Sequence, residues 1–189
     1  MTLGVVILVG GASSRMGRDK ARLDWNGRGA VERLADVARA LGADLVLTAG
    51  GGDFGLPRVD DGEAGGGPVA GMVAALAILR EAGLRRALVL AVDAPTLWAE
   101  DIAPLLESPP PGAAYEGLNL PLVIDLAAAS SEAGAGWSIR RFIEAAGLAR
   151  PVCPPEAAER LRGANTPEER ERLLMALVEA ESAQNAGRS

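Results

Sequence analysis

Short apolar runs alternate with segments of helical spacing along this chain. Residues 3–9 are apolar, rich in β-branched side chains and bounded by glycine, which predicts a buried strand. Residues 30–41 place Val31, Leu34, Val37, Ala38 and Leu41 on one face of a helix that Gly42 ends. Strands are predicted over 44–48 and, more briefly, 56–59, followed by an apolar helix over 69–81. Residues 86–92, RALVLAV, read as the central strand and 99–106 as a helix. Further on, 120–126 reads as a strand and 127–132 as helical. Residues 139–146 form a helix with Ser138 as its cap and Ile139, Phe142, Ile143 and Ala146 on its apolar face. Residues 150–153 suit an edge strand. Thr166, Pro167 and Glu169 write a capping box for a last helix, and 182–189 read as a flexible tail.

Strands and helices in turn predict an α/β fold: a single-domain, Rossmann-like, mostly parallel sheet with helices on both faces, over residues 1–181. The stiff SPPPG loop, 108–112, divides the chain without leaving enough residues after it for a second core.

Composition narrows the chemistry. Apolar residues make up 49% of the chain and aromatics only 3%, so the core is Leu, Val and Ala. The net charge of −6 argues against a broad nucleic-acid footprint, which needs a basic face. The chain has 1 cysteine, Cys153, and 0 histidines. That removes a disulfide framework, a Ser-His-Asp triad and any histidine-ligated metal. A metal, where one is used, takes oxygen ligands, which favours Mg²⁺ or Mn²⁺. No signal segment and no membrane-spanning run is read, so the expected location is the cytoplasm.

The most informative stretch is VVILVGGASSRMGRDK, residues 5–20. A strand runs into Gly10-Gly11, where the absence of Cβ lets backbone N–H groups approach an anion. Arg15 and Lys20 add a guanidinium fork and a compact positive charge. The loop is not a P-loop, because Lys20 lacks the preceding Gly and is followed by Ala21, and it lacks dinucleotide-fingerprint spacing. Two more segments stand out. DDGEAGGGPVAG, residues 60–71, is an acidic pair and a glycine-rich helix approach. VDAPT, residues 92–96, sets Asp93 at the carboxyl end of the central strand, where open α/β sheets bind ligands. Asp93 there suits a divalent cation. It also suits the N-cap of the 99–106 helix, a task that Asp101 or Thr96 could take instead.

LVGGASSRMGRDK resembles the signature of the molybdenum cofactor guanylyltransferases (the molybdopterin-guanine dinucleotide biosynthesis protein A family), within the nucleotidyltransferase superfamily. Gly-Pro-Val-Ala-Gly and Val-Asp-Ala-Pro resemble the second and third motifs of that family, in the same order. The resemblance implies a nucleotide-diphospho-sugar transferase type of sheet, with a nucleotide-binding half over about 1–107 and an acceptor-binding half over about 112–181. It implies transfer of GMP from GTP to the terminal phosphate of molybdopterin, with release of pyrophosphate and a Mg²⁺ requirement. Arg15, Lys20 and Asp93 are the catalytic residues it implies, with Asp93 as metal ligand. Leu8, Val9, Gly10, Gly11, Ser13, Lys20, Thr48, Asp61, Gly67 and Asp93 would hold the nucleotide, with Asp60 beside Asp61. Asn165 would line the acceptor site. Apart from the resemblance, Arg140 on the 139–146 helix could face an anionic acceptor or lie on a solvated helix face. The implied partners are GTP and molybdopterin, with transient contact to other cofactor-biosynthesis proteins or molybdoenzymes, and neither nucleic acid nor membrane. An acceptor phosphate is ionised near neutral pH, so no general base is needed. This chain departs from the family at Thr48, Leu120, Trp137 and Gly163. Those departures keep open a cytidylyltransferase, another small-acceptor nucleotidyltransferase, or a non-catalytic GTP-binding relative.

Overall fold

The computed structural model describes residues 2–9, 20–59, 67–130 and 132–186. Strand β1, Leu3–Leu8, is the spine. It pairs in parallel with β2, Leu45–Ala49, and with β4, Arg86–Ala91. Beyond β2 lies the short parallel strand β3, Arg58–Val59. Beyond β4 lies β6, Leu122–Asp125, antiparallel, and then β5, Gly112–Ala114. Among the described residues the sheet has 6 strands in the order β3-β2-β1-β4-β6-β5, and of these only β6 runs against the rest.

The period of two in each strand serves both faces. Val5 and Ile7 of β1 and Leu88 and Leu90 of β4 face one layer of helices. That layer holds α1, Ala30–Ala40, α3, Ala99–Leu106, α5, Ala158–Arg162, and α6, Pro167–Ala186. Val6 and Leu8 of β1 and Ala87 and Val89 of β4 face α2, Gly67–Glu81, and α4, Ile139–Ala145. Strands buried on both sides need continuous apolar sequence, which is why 3–9 and 86–92 were legible as strands.

Helix ends follow the side chains that cap them. Ser138 accepts the Arg141 N–H at the start of α4. Thr166 and Glu169 exchange bonds at the start of α6, Thr166 N–H to Glu169 at 3.0 Å and Glu169 N–H to Thr166 Oγ1 at 3.2 Å. At α3 the carboxylate of Asp101 accepts the Trp98 N–H at 2.8 Å. Asp101 is 5% exposed and takes both forks of Arg160 on α5, at 3.0 and 2.6 Å.

Several expectations are corrected. β5 is not predicted by the sequence: its first residue, Gly112, ends the expected SPPPG loop, and no element is expected over 113–114. A strand of Gly, Ala and Ala behind three prolines carries no alternating signal, and it forms because β6 pairs with it. Its first residue must be glycine: φ is +125°, and a Cβ at Gly112 would stand 2.1 Å from the Val123 oxygen. The helix expected over 127–132 is only a 3₁₀ turn, Leu126–Ala128. Ser130 Oγ accepts the Glu132 N–H, a local turn that competes with helix. The 150–153 strand reduces to a bridge between Ala113 and Ala149 and a bond from Glu116 N–H to the Pro151 carbonyl. Prolines at 151 and 154 remove the donors needed to continue. Helix α5 had no sequence signal. α6 runs on through Ala186, where flexible chain was expected from 182, and residues 187–189 lie outside the description.

The buried Tyr115, 1% exposed, follows β5 and donates its hydroxyl to the Asp101 carbonyl at 2.8 Å. Burial, with the negative groups Cys153 and Asp101 nearby, pushes its pKa up to about 12 from 10.0. The unfolded chain therefore loses this proton at lower pH than the folded one. Stability is unaffected below about pH 10 and falls as pH rises from about 10 to about 12, by roughly 2–3 kcal/mol in all. Urea midpoints across that range should show the fall, and in Tyr115→Phe this contribution should vanish.

Candidate active site

The sheet order turns at β1. One crossover leads left to β2 and β3, and the next leads right to β4. The crevice of such a sheet opens at the carboxyl ends of the two strands that flank the switch. Here those ends are drawn together by backbone bonds. Val92 N–H donates to the Leu8 carbonyl at 3.2 Å, and Val9 N–H donates to the Ala49 carbonyl at 2.9 Å. Gly51, at φ +69°, packs so tightly on Val9 that a Cβ would lie 2.8 Å from its Cγ1.

Asp93 follows β4 at this edge and is half-buried. Its turn is closed by Ala94 N–H to the Ala91 carbonyl, 3.1 Å. The Asp93 carbonyl accepts the Ala164 N–H at 2.9 Å, which brings the segment before α6 against the turn. Gly163 makes that approach possible. Its φ is +69°, and a Cβ there would stand 2.1 Å from the Asp93 oxygen. Asn165 follows immediately, with its N–H on the Glu169 carboxylate at 2.7 Å. Asp101 supplies the α3 cap, so Asp93 is not held by that duty.

A divalent cation fits this donor chemistry in one way. Among the described residues, no group of three or more Cys, Asp or Glu could enclose a metal. An ion at Asp93 would take one carboxylate and complete its shell from phosphate oxygens and water, the habit of Mg²⁺.

The other expected site residues divide. Gly10, Gly11, Ser13, Arg15 and Asp61, with Asp60, lie outside the described residues. Lys20 opens a 3₁₀ turn, Lys20–Arg22. Gly67 begins α2 with φ +77° at an exposed position. Leu8 and Val9 commit a carbonyl and an N–H to the sheet, as above. Thr48 is 0% exposed, on β2 beside Ile7, and its Oγ1 finds no partner among the described residues. A buried, unpaired hydroxyl costs about 1–3 kcal/mol, so Thr48→Val should raise stability by about 1 kcal/mol. Thermal melting checks this, and a rise in nucleotide KM in the same variant would instead assign the hydroxyl to the nucleotide.

Arg140 stands apart from Asp93 and Asn165. It is exposed, pairs with Glu144 at 2.9 Å, and lines a cavity of about 500 Å³ with Asn119, Ile143, Leu148 and Arg150. The neighbouring Arg141 guanidinium lies 4.0 Å over the Trp137 ring. The cavity borders the loop between β5 and β6, which leaves the sheet at the same edge as Asp93.

Sequence reasoning missed the supports of the Asp93 turn. Gly163 was visible as a departure, but nothing in its neighbours told of a backbone contact 70 residues away in sequence. Arg33 interrupts an apolar helix face and offered no sign of a buried partner. Among the described residues, no helix is long and apolar enough to cross a membrane.

Comparison with known proteins bears on the family and the fold. The molybdenum cofactor guanylyltransferase of Xanthomonas euvesicatoria is 35% identical over 129 residues, 68% of this chain and 67% of that protein. The one from Acidiphilium cryptum is 34% identical over 152 residues, 77% and 74% of the two chains. A probable molybdenum cofactor guanylyltransferase of Opitutus terrae is 40% identical over 102 residues, and the match spans 50% of its length. The chain thus spans about half the length of some of the curated relatives it matches. Among solved structures, molybdopterin-guanine dinucleotide biosynthesis protein A from Archaeoglobus fulgidus superposes with a TM-score of 0.63 at 18% identity, covering 93% of this chain and 98% of that one. A 2-C-methyl-D-erythritol 4-phosphate cytidylyltransferase from Thermus thermophilus reaches 0.59 at 20% identity, covering 94% and 99%. These two likenesses speak for the fold. Residues 5–136 match the family described as the MobA-like NTP transferase domain, and the chain belongs to that family.

Proposed function

We propose that the chain transfers GMP from GTP to the terminal phosphate of molybdopterin. A phosphate oxygen of the acceptor attacks the α-phosphorus, the bond to the β-phosphate breaks, and pyrophosphate leaves. The observation that carries this reading is the Asp93 turn at the switch point, beside the end of β1 where the glycine-rich loop begins.

In-line transfer at phosphorus needs positioning and charge neutralisation more than a protein nucleophile. Asp93 would hold Mg²⁺, which when bound neutralises phosphate charge. The loop N–H groups of Gly10, Gly11 and Ser13, with Arg15 and Lys20, would bind the triphosphate and the departing pyrophosphate. Asp61 and Gly67 would orient the nucleoside. The acceptor would enter from the β6 side of Asp93, with Asn165 near the turn and Arg140 in the cavity beyond. A lack of histidine is no obstacle, since the ionised acceptor phosphate needs no base.

Guanine is favoured over cytosine by the Gly-Gly and Asp-Lys of the loop and by the guanylyltransferase names of the relatives. The test is pyrophosphate release with Mg²⁺ and molybdopterin when GTP and CTP compete. Preference for GTP is expected. Preference for CTP would keep the reaction and move the chain to the cytidylyl class. GTP binding with no release would make it a non-catalytic relative.

A further inference from the structure

One buried guanidinium joins the two segments that carry the candidate site. Arg33 lies on α1 and is 8% exposed. Its Nε donates to the Pro95 carbonyl at 3.2 Å, and Pro95 follows directly on the Asp93 turn. Its Nη1 donates to the Trp25 carbonyl at 3.4 Å, in the connector that leaves Lys20–Arg22. Its Nη2 pairs with the Glu181 carboxylate on α6 at 2.9 Å.

Helix α6 holds the same connector by other bonds. Glu181 accepts the Asn26 side-chain N–H, and Arg170 donates to the Asp24 carbonyl while lying 5.4 Å over the Trp25 ring. Burial alone would raise the Glu181 carboxyl. Hydrogen bonds from Asn26 and Arg33 outweigh it and hold the group below its ordinary range.

We propose that Arg33 is a positioning residue for nucleotidyl transfer, which sets the Asp93 turn against the chain leaving the glycine-rich loop, with Glu181 orienting its guanidinium. The inference rests on the reading of Asp93 given above. A planar guanidinium offers five donors in fixed directions and can serve three separate acceptors at once. An ammonium cannot span them. Removing the fork cuts the direct tie between the turn and the connector and leaves each to its bonds with Ala164 and Arg170, and a displacement near 1 Å costs transfer about a hundredfold. A purely stabilising role would lower the melting temperature and leave the site unchanged.

The experiment compares wild type, Arg33→Met, Arg33→Lys, Glu181→Gln and Asp93→Ala, each assayed well below its own melting temperature. Three readouts are taken: kcat with GTP and molybdopterin, the Mg²⁺ concentration for half-maximal rate, and amide exchange of Ala94 and Ala164 without substrate. In Arg33→Met, kcat should fall by about 30-fold or more, half-saturation should rise, and both amides should exchange about tenfold faster. Arg33→Lys should recover less than half of the loss. Glu181→Gln should move all three in the same direction by a few fold. Wild-type kcat, half-saturation and exchange in a folded Arg33→Met would overturn the proposal. Should that variant not fold, wild-type values in Glu181→Gln would do so. Full activity in Asp93→Ala would overturn the reading of Asp93. Loss in Asp93→Ala with normal Arg33 variants would overturn the positioning role alone. If the wild type turns over neither substrate, the amide exchange still decides whether Arg33 holds the turn.

Discussion

Asp93→Ala is expected to lower nucleotidyl transfer about a thousandfold while leaving the fold intact. The carboxylate sits at the carboxyl end of the central strand, half-buried, and Asp101 takes the Trp98 N–H at the start of α3. Its backbone, through the bonds to Ala91 and Ala164, keeps the turn whatever the side chain is. A carboxylate that would hold Mg²⁺, which when bound neutralises phosphate charge, would contribute several kcal/mol to the transition state. About 4 kcal/mol corresponds to three powers of ten in rate. Steady-state kinetics at saturating Mg²⁺ checks it. The loss should lie mainly in kcat, because the charge develops in the transition state more than in the bound nucleotide. A fall of less than about tenfold would leave Asp93 outside the chemistry.

Gly163→Ala is the second large effect, and it acts on stability first. Gly163 has φ +69° and ψ −170°, a region open in practice to glycine alone. A methyl there would stand 2.1 Å from the Asp93 oxygen and 2.9 Å from the Ala94 nitrogen, both backbone atoms with no freedom to swing aside. Strain of about 1–3 kcal/mol and overpacking of about 1–3 kcal/mol together give roughly 2–6 kcal/mol. At about 2–4 °C per kcal/mol for a chain of this size, the melting temperature should drop by about 10 °C. Gly117→Ala is the control. Its φ of +75° is similar, but nothing lies within 4 Å of the added methyl, so it should cost only about 1 kcal/mol. Equal drops in the two variants would mean that the contact with Asp93 contributes nothing. Transfer in Gly163→Ala should also fall, because the methyl pushes on the turn that carries the carboxylate.

The two variants show where the sequence was legible and where it stopped. β1 and β4 were readable because strands buried on both faces must be apolar throughout, and α1 because its stripe faces one layer. The α6 capping box was readable because its partners are three residues apart. Asp93 was readable as a carboxylate at the end of a strand. The supports of that carboxylate were not. Gly163 and Ala164 reach it across the whole second half of the chain, and Arg33 reaches Pro95 and Glu181 from a helix whose pattern says only that one charged residue lies beside an apolar face. β5 was unreadable for a related reason: Gly112–Ala114 has no pattern of its own and becomes a strand because β6 presents an edge.

The most direct test of the account is to follow the α-phosphate of labelled GTP with Mg²⁺ and molybdopterin, and to identify the product by mass. The label is expected to pass to a guanine dinucleotide of molybdopterin, with one pyrophosphate released for each dinucleotide formed. Label that stays in GTP, under conditions where the protein binds the nucleotide, would contradict it.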